Sequence, residues 1–335
     1  MTSAAVVGIG DISALHLDAI GQISTIDLVG VCDVDPERAE RAGQTHGVPW
    51  FTDHRDLLAA VSPDVVHITT PHNQHVPVAL DALEAGSHVL TEKPIGHSVA
   101  EGQRLVDAAA HTSLKVGVNF QNRYNPSAVA IREVVDSGRL GPIVGARGAV
   151  WWFRPAAYYD RAPWRGQWNG SGGGVLINQA IHTLDLLLWY LGRATRVTGV
   201  ASNLSLPGVI EVEDTATVLI DHSSGVRSTF FATNAHHENA DVELEISGRD
   251  GSVSLAGGTV RLTDSTGTQV IATDEQATGQ RSYWGRGHSM LIEDFHARLG
   301  ESEPFWISPD DGLAALRVLR QTYQQSGMLP SGSAL

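Results

Sequence analysis

The first 120 residues repeat one unit, a short apolar strand followed by an amphipathic helix, and few folds accommodate that alternation. Strand runs at residues 4–7, 26–32, 48–51, 64–70, 87–91 and 114–118 are separated by helix patterns at 13–21, 36–47, 53–61, 76–86 and 98–111. Parallel strands need crossovers of this length, and such crossovers are right-handed. The pattern predicts an α/β protein that opens with a doubly wound parallel sheet of the Rossmann type. Such sheets bind ligands outside the carboxyl ends of their strands. The residues that end these strands are therefore the candidates: Asp33, Thr70, the run Glu92-Lys93-Pro94, and Asn119.

The first strand-to-helix turn reads Gly8-Ile9-Gly10-Asp11-Ile12-Ser13. It matches the dinucleotide fingerprint, with Ser13 at the third glycine position, where only a small residue is needed. Gly8 would permit the tight turn, and Gly10 would let a pyrophosphate approach the helix N-terminus. Asp33 lies 23 residues beyond Gly10 and could accept both hydroxyls of the adenosine ribose. Its charge would repel a 2′-phosphate, which favours NAD over NADP. The plainer role for Asp33 is to start the turn Asp33-Val34-Asp35-Pro36. Lys93 follows an apolar strand and precedes a proline, which biases it toward extended backbone. At a cofactor crevice it could donate to a substrate oxygen, and a nearby positive nicotinamide would lower its pKa toward proton transfer. Away from a crevice it would be a surface lysine paired with Glu92.

A second stretch, residues 172–188, reads GGGVLINQAIHTLDLLL. Leu176, Ala180, Leu184, Leu187 and Leu191 form an apolar helical stripe. Asn178, His182 and Asp185 fall at i, i+4 and i+7 on the other side. Without Lys, Arg or Glu, this polar row does not read as a solvated face. It is either an internal hydrogen-bond network or the floor of a site.

Composition shifts after Gln121, which predicts domains at 1–122 and 123–335. Arg123-Tyr124-Asn125-Pro126 opens an expected helix to about residue 137. An alternating strand at 143–153 leads into a loop rich in aromatics and arginines: Arg154, Tyr158, Tyr159, Trp164, Arg165 and Trp168. Aromatic faces stack on sugar C–H surfaces and arginine forks bind hydroxyls or carboxylates, so Trp164 and Arg165 are candidates for a substrate wall. Such side chains also mark subunit contacts. From residue 196 to 272 short strands joined by turns such as Ser223-Ser224-Gly225 predict an antiparallel sheet, and helices at 288–299 and 309–326 close the chain.

The totals remove several classes. The 335 residues carry 23 Lys and Arg against 37 Asp and Glu, and a net charge of −14 argues against a nucleic-acid partner. No apolar run approaches the ~20 residues that span a bilayer, which predicts no membrane association. The N-terminus lacks the basic start of a signal peptide, and the single Cys32 fits a reducing cytoplasm. Fifteen histidines bring no H-x-x-x-H or C-x-x-C spacing, so no metal is expected.

Gly8-Ile9-Gly10, Asp33, Thr70-Pro71 with Asn73 and His75, Glu92-Lys93-Pro94, and Gly172-Gly173-Gly174 leading to His182-x-x-Asp185 occur in one order. This set resembles the glucose–fructose oxidoreductase and inositol dehydrogenase family (Gfo/Idh/MocA) over nearly the whole chain. The resemblance implies a Rossmann domain followed by an α/β domain with a large, mostly antiparallel sheet. It also implies NAD(P)-dependent hydride transfer at a secondary alcohol of a sugar or cyclitol. Lys93 would be the catalytic lysine, His182 the acid/base, and the Lys93-Pro94 bond cis. Gly8, Gly10, Asp11, Ile12, Asp33, Thr70, Pro71, Asn73, His75, Glu92, Lys93 and Asn119 would meet the cofactor. Lys93, Arg123, Tyr124, Trp164, Arg165, Asn178, Gln179, His182 and Asp185 would meet substrate. Subunits would pair through the C-terminal sheet as a homodimer or homotetramer. Asn178 departs from the Asp common in the family, which leaves the specific substrate open. Two other readings of the scaffold are a non-catalytic NAD(H) sensor and an imine- or biliverdin-type reductase.

Overall fold

The computed structural model of the chain describes residues 1–274 and 286–330. It divides into two compact units, Met1–Gln121 with Gly287–Leu313, and Asn122–Arg286 with Ala314–Leu335.

In the first unit six strands form one sheet: β1 (Thr2–Val7), β2 (Ile26–Cys32), β3 (Trp50–Phe51), β4 (Val65–Ile68), β5 (His88–Glu92) and β6 (Val116–Asn119). Their order is β3-β2-β1-β4-β5-β6, and every pairing is parallel. This is the doubly wound order, with its switch point between β1 and β4. Residues 4–7 of β1 and all of β4 and β6 are buried, as expected for strands covered on both faces. The connecting helices are α1 (Ser13–Gln22), α2 (Pro36–His46), α3 (His54–Val61), α4 (His72–Glu84) and α5 (Val99–Ala110). Asp35, Asp53 and Ser98 cap α2, α3 and α5 through their side-chain oxygens.

The segment Gly287–Leu313, read from the sequence as part of the second domain, packs with the first unit. The reason lies in its aromatic residues and in a gap on β6. A methyl group at Gly117 would stand 2.9 Å from both Phe295 and Phe305, so the two rings occupy the space the glycine leaves. Val118 N donates to Ile307 O at 3.1 Å. The Lys115 ammonium donates to the carbonyls of Glu301 (2.5 Å) and Glu303.

The second unit starts with a 3-10 turn, Gln121–Tyr124, and α6 (Pro126–Asp136). The expected helix from Arg123 is broken at Asn125, which sits extended at φ −66°, ψ 138° because Pro126 follows it. The sheet comprises β7 (Ile143–Trp151), β8 (Ala194–Ser202), β9 (Thr215–His222), β10 (Arg227–Thr233), β11 (Glu243–Gly248), β12 (Gly251–Ala256), β13 (Thr259–Asp264) and β14 (Gly267–Thr273). In the order β14-β13-β12-β11-β7-β10-β9-β8 only β7 and β10 pair in parallel. The aromatic loop is folded into short pieces, α7 (Ala156–Asp160), a 3-10 turn Pro163–Gly166, and α8 (Trp168–Ser171). The glycine run leads into a π turn, Leu176–Ala180, and only then into α9 (Ile181–Leu191), where a single helix was expected. π turns inside helices concentrate at functional sites. The described chain closes with α10 (Gly287–Ala297) and α11 (Pro309–Gln325).

Helix α9 lies on one face of the sheet, where Leu187 and Thr183 would stand 3.2 Å from a methyl group at Gly148 of β7. The other face carries Trp151 against Phe231, ring centroids 4.3 Å apart, and Arg147 paired with Glu245 at 2.9 Å. Among the described residues no helix is long and apolar enough to cross a membrane, and no group of three His, Cys, Asp or Glu side chains could hold a metal.

Candidate active site

The switch point of the first unit is built from backbone. Gly8 has φ +96°, and a methyl group there would stand 2.7 Å from Thr70 N. Gly8 therefore serves the close approach of the β1 and β4 turns as well as the tight turn itself. Around Gly10 a methyl group would meet nothing within 4 Å, which is the open backbone a pyrophosphate requires. Ser13 donates to Gly10 O at 2.7 Å and ties the turn to α1. Asp33 accepts from Ile9 N at 2.6 Å and from Asp35 N at 2.8 Å, one bond to each carboxylate oxygen. Each oxygen keeps a second lone pair, so the turn role and a ribose role coexist. These residues fit a dinucleotide.

At the carboxyl ends of β5 and β6, Glu92 and Asn119 stand side by side. Asn119 Nδ2 donates to Glu92 Oε1 at 2.6 Å, and His16 Nε2 meets the same oxygen at 3.1 Å. Burial would raise Glu92, but the hydrogen bonds from His16 and His288 outweigh it and hold the carboxyl well below its ordinary range. Lys93 N donates to Glu92 Oε2 at 3.2 Å, and the Lys93-Pro94 bond is cis. Across residues 89–96 every residue except Lys93 is buried. His75, on α4, stands with Nδ1 2.7 Å from Pro94 O and Nε2 2.9 Å from Thr70 O, so its ring lies between the loops after β4 and β5 and, when neutral, donates to one of the two carbonyls. Pro71 is the N-cap residue of α4, and Asn73 lies in that helix's first turn.

In the second unit, the start of the π turn is held by a buried carboxylate. Glu213 accepts from Gly174 N at 2.7 Å, Leu176 N at 2.9 Å and the Tyr323 hydroxyl at 2.9 Å. Burial pushes its carboxyl up to about 7 against these bonds. A methyl group at Gly174 would overlap the Glu213 carbonyl oxygen, and one at Gly173 would overlap the Tyr323 hydroxyl. From residue 170 to 191 all are buried except Asn178, His182 and Trp189. The polar row on this helix thus divides. Asn178 Nδ2 donates to Gly173 O at 3.2 Å and Gly174 O at 3.1 Å, bonds a carboxylate could not make. Asp185 is buried against Arg123 in a two-pronged pair at 2.9 and 2.6 Å. Gln179 bonds the Tyr158 hydroxyl at 3.0 Å and Asn234 Nδ2 at 3.0 Å. The Arg165 guanidinium lies 4.8 Å from the Tyr158 ring centroid and 5.6 Å from that of Trp164. Tyr124 ends the 3-10 turn that also carries Arg123.

Residues 2–120 match the family model for the oxidoreductase family with an NAD-binding Rossmann fold, and residues 128–254 match the GFO/IDH/MocA C-terminal domain. The chain belongs to the GFO/IDH/MocA family of oxidoreductases. Residues 2–120 are that family's NAD-binding domain, and the protein is an enzyme. Among curated GFO/IDH/MocA relatives, levoglucosan dehydrogenase of Pseudarthrobacter phenanthrenivorans is 27% identical over 67% of this chain and 63% of its own length. Inositol 2-dehydrogenase of Salmonella typhimurium is 25% identical over 90% of this chain and 87% of that protein. The WlbA dehydrogenase of Bordetella pertussis, solved with NADH and UDP-GlcNAcA, is 28% identical. It superposes with a TM-score of 0.84 over 97% of this chain and 96% of that one.

Sequence reasoning missed Glu213, Asn234, and His16 as the partner of Glu92. Two had a signal. Glu213 forms an acidic pair with Asp214 just before strand β9, and His16 interrupts the apolar face of α1; neither spacing names a partner.

Proposed function

We propose that this family member is an NAD-dependent dehydrogenase acting on a ring hydroxyl of a sugar, sugar derivative or cyclitol, with Lys93 and His182 as its acid/base pair. NAD supplies the hydride acceptor or donor when bound. The observation that carries this reading is the selective opening of buried chain at the motif positions: Lys93 within residues 89–96, and His182 with Asn178 within residues 170–191. The names of the relatives support a polyol substrate. Lys93 takes or returns the hydroxyl proton at Nζ, and His182 shares that task. Asn178 orients and does not titrate, since its amide braces the glycine turn. Arg123 and Asp185 neutralise one another and act as a brace for α9 rather than as free ligands for a charged substrate.

The test is NADH fluorescence during a screen of aldoses, inositols, sugar acids and keto-sugars. Lys93→Ala and His182→Ala are each expected to lower kcat by roughly 10²–10⁴-fold while NADH still binds. Wild-type turnover in either variant would refute the pair, and no turnover with any polyol would favour the NAD(H) sensor. Asp33→Ala is expected to narrow the preference for NAD over NADP, and unchanged discrimination would remove its ribose role. The reading extends to a homo-oligomer that covers the Trp151–Phe231 face of the second sheet. A monomer in sedimentation analysis would remove that part.

A further inference from the structure

We propose that three buried histidines, His16, His67 and His296, form a proton relay between the Glu92 carboxylate beside Lys93 and the protein surface at Thr2. The proposal rests on the dehydrogenase reading and adds a proton path to it. Each ring uses both of its nitrogens in one file. His16 Nε2 meets Glu92 Oε1 at 3.1 Å, and His16 Nδ1 meets His67 Nδ1 at 2.9 Å. His67 Nε2 meets His296 Nε2 at 3.0 Å, and His296 Nδ1 meets Thr2 Oγ1 at 2.8 Å. The three rings come from α1, β4 and α10, and His16 and His67 are wholly buried. Glu92 ends β5 and Thr2 begins β1 in a parallel sheet, so the file runs from the carboxyl edge to the amino edge.

The carboxylate sets the direction of every bond. Glu92 can only accept, so His16 donates from Nε2 and, as a neutral ring, accepts at Nδ1. His67 then donates from Nδ1 and accepts at Nε2, His296 donates from Nε2, and Thr2 donates to His296 Nδ1. One consistent set of neutral tautomers satisfies the whole file. Burial holds His67 well below its ordinary pKa and His296 at about 4, which keeps these carriers neutral. Apolar side chains would fill the same interior with no desolvation cost, and His67 stands in a strand otherwise made of Val65, Val66 and Ile68.

An inward transfer starts with a water proton reaching His296 Nδ1 by way of the Thr2 hydroxyl. His296 releases its Nε2 proton to His67, His67 its Nδ1 proton to His16, and His16 its Nε2 proton to Glu92. Only N–H and O–H bonds form and break, and Glu92 becomes a carboxylic acid. The three tautomers are then reversed, and an outward transfer restores them. Carbonyl reduction consumes a proton and alcohol oxidation releases one, so the relay supplies Glu92 in one direction and drains it in the other.

The test uses the full chain labelled with ¹⁵N-histidine. Ring ¹⁵N shifts at neutral pH are expected to show Nε2–H for His16, Nδ1–H for His67 and Nε2–H for His296. In D₂O the His16 ring proton is expected to exchange faster than the β4 amides. His296→Gln cannot pass a proton and is expected to slow that exchange about tenfold with β4 amide protection unchanged. His296→Leu is the second variant, with the same expected result. Opposed tautomers, or His16 exchange that ignores both substitutions, overturn the relay. With a substrate from the polyol screen, the relay also predicts a larger solvent isotope effect on kcat in His296→Gln. Absence of turnover with every polyol removes the dehydrogenase reading, whereas ring exchange decides the relay by itself.

Discussion

Gly174→Ala is expected to cost at least ~4 kcal/mol of stability, enough to leave little folded second unit. The added methyl group would overlap the carbonyl oxygen of Glu213, a backbone atom with no rotamer through which to move aside. Relief requires the π turn to lift away. That would strain or break the bonds Gly174 N to Glu213 Oε2 at 2.7 Å and Val175 N to Glu213 O at 3.0 Å. Overpacking costs ~1–3 kcal/mol, and each buried group left unbonded adds ~1–3 kcal/mol. Gly10→Ala is the control, because its methyl group would meet nothing within 4 Å. Its stability is expected to stay within about 0.5 kcal/mol of wild type, while NADH affinity falls because the pyrophosphate approach is narrowed. Urea unfolding followed by circular dichroism separates the two. Equal stabilities would show that the glycine run is held by something other than this contact.

Acid is expected to unfold the first unit before the second. His67, His75 and His288 are buried and depressed below their ordinary pKa by burial, and burial lowers His296 to about 4. Below pH ~6.5 the unfolded chain binds protons that the folded unit refuses, so the stabilisation present above that pH is lost as pH falls. Each such histidine contributes a slope of at most about 1.4 kcal/mol per pH unit, and only between its folded value and about 6.5. In the second unit one buried histidine, His222, is depressed by burial, and Glu213 acts with the opposite sign. Its carboxyl, pushed up to about 7, lowers stability as pH rises from about 4.5 to 7. Hydrogen exchange read by peptide is expected to show β1 and β4 losing protection at a higher pH than β7 and β9 as the solution is acidified. Simultaneous loss in both sheets would refute the assignment to the buried histidines.

What the sequence made legible was periodic or local. Strand–helix alternation, the Gly8–Gly10 turn and the strand-ending residues placed the parallel sheet and its binding edge, because neighbours in the chain fix those features. The open positions Lys93 and His182 could be named from motif spacing. The histidine file could not, since His16, His67 and His296 are brought together only by the sheet. Its traces are His67 inside an apolar strand and His16 on the apolar face of α1, polar groups that had to be satisfied. The polar row on α9 looked uniform at helical spacing. A π turn and the Arg123 partner separate Asn178 and His182, which reach the surface, from Asp185, which does not. Nothing in the aromatic pair Phe295 and Phe305 announces that the residue they need is Gly117.

That last pairing determines how this protein can be divided. The chain leaves the nucleotide-binding unit at Gln121, returns at Gly287, and leaves again after Leu313. A fragment ending at residue 122 would carry every dinucleotide motif and still be an incomplete body. The slot over β6 would lie open to water, and His67 would lose a ring partner. Recombining cofactor halves among relatives of this architecture therefore calls for a two-piece transplant, with the late segment travelling alongside the early one.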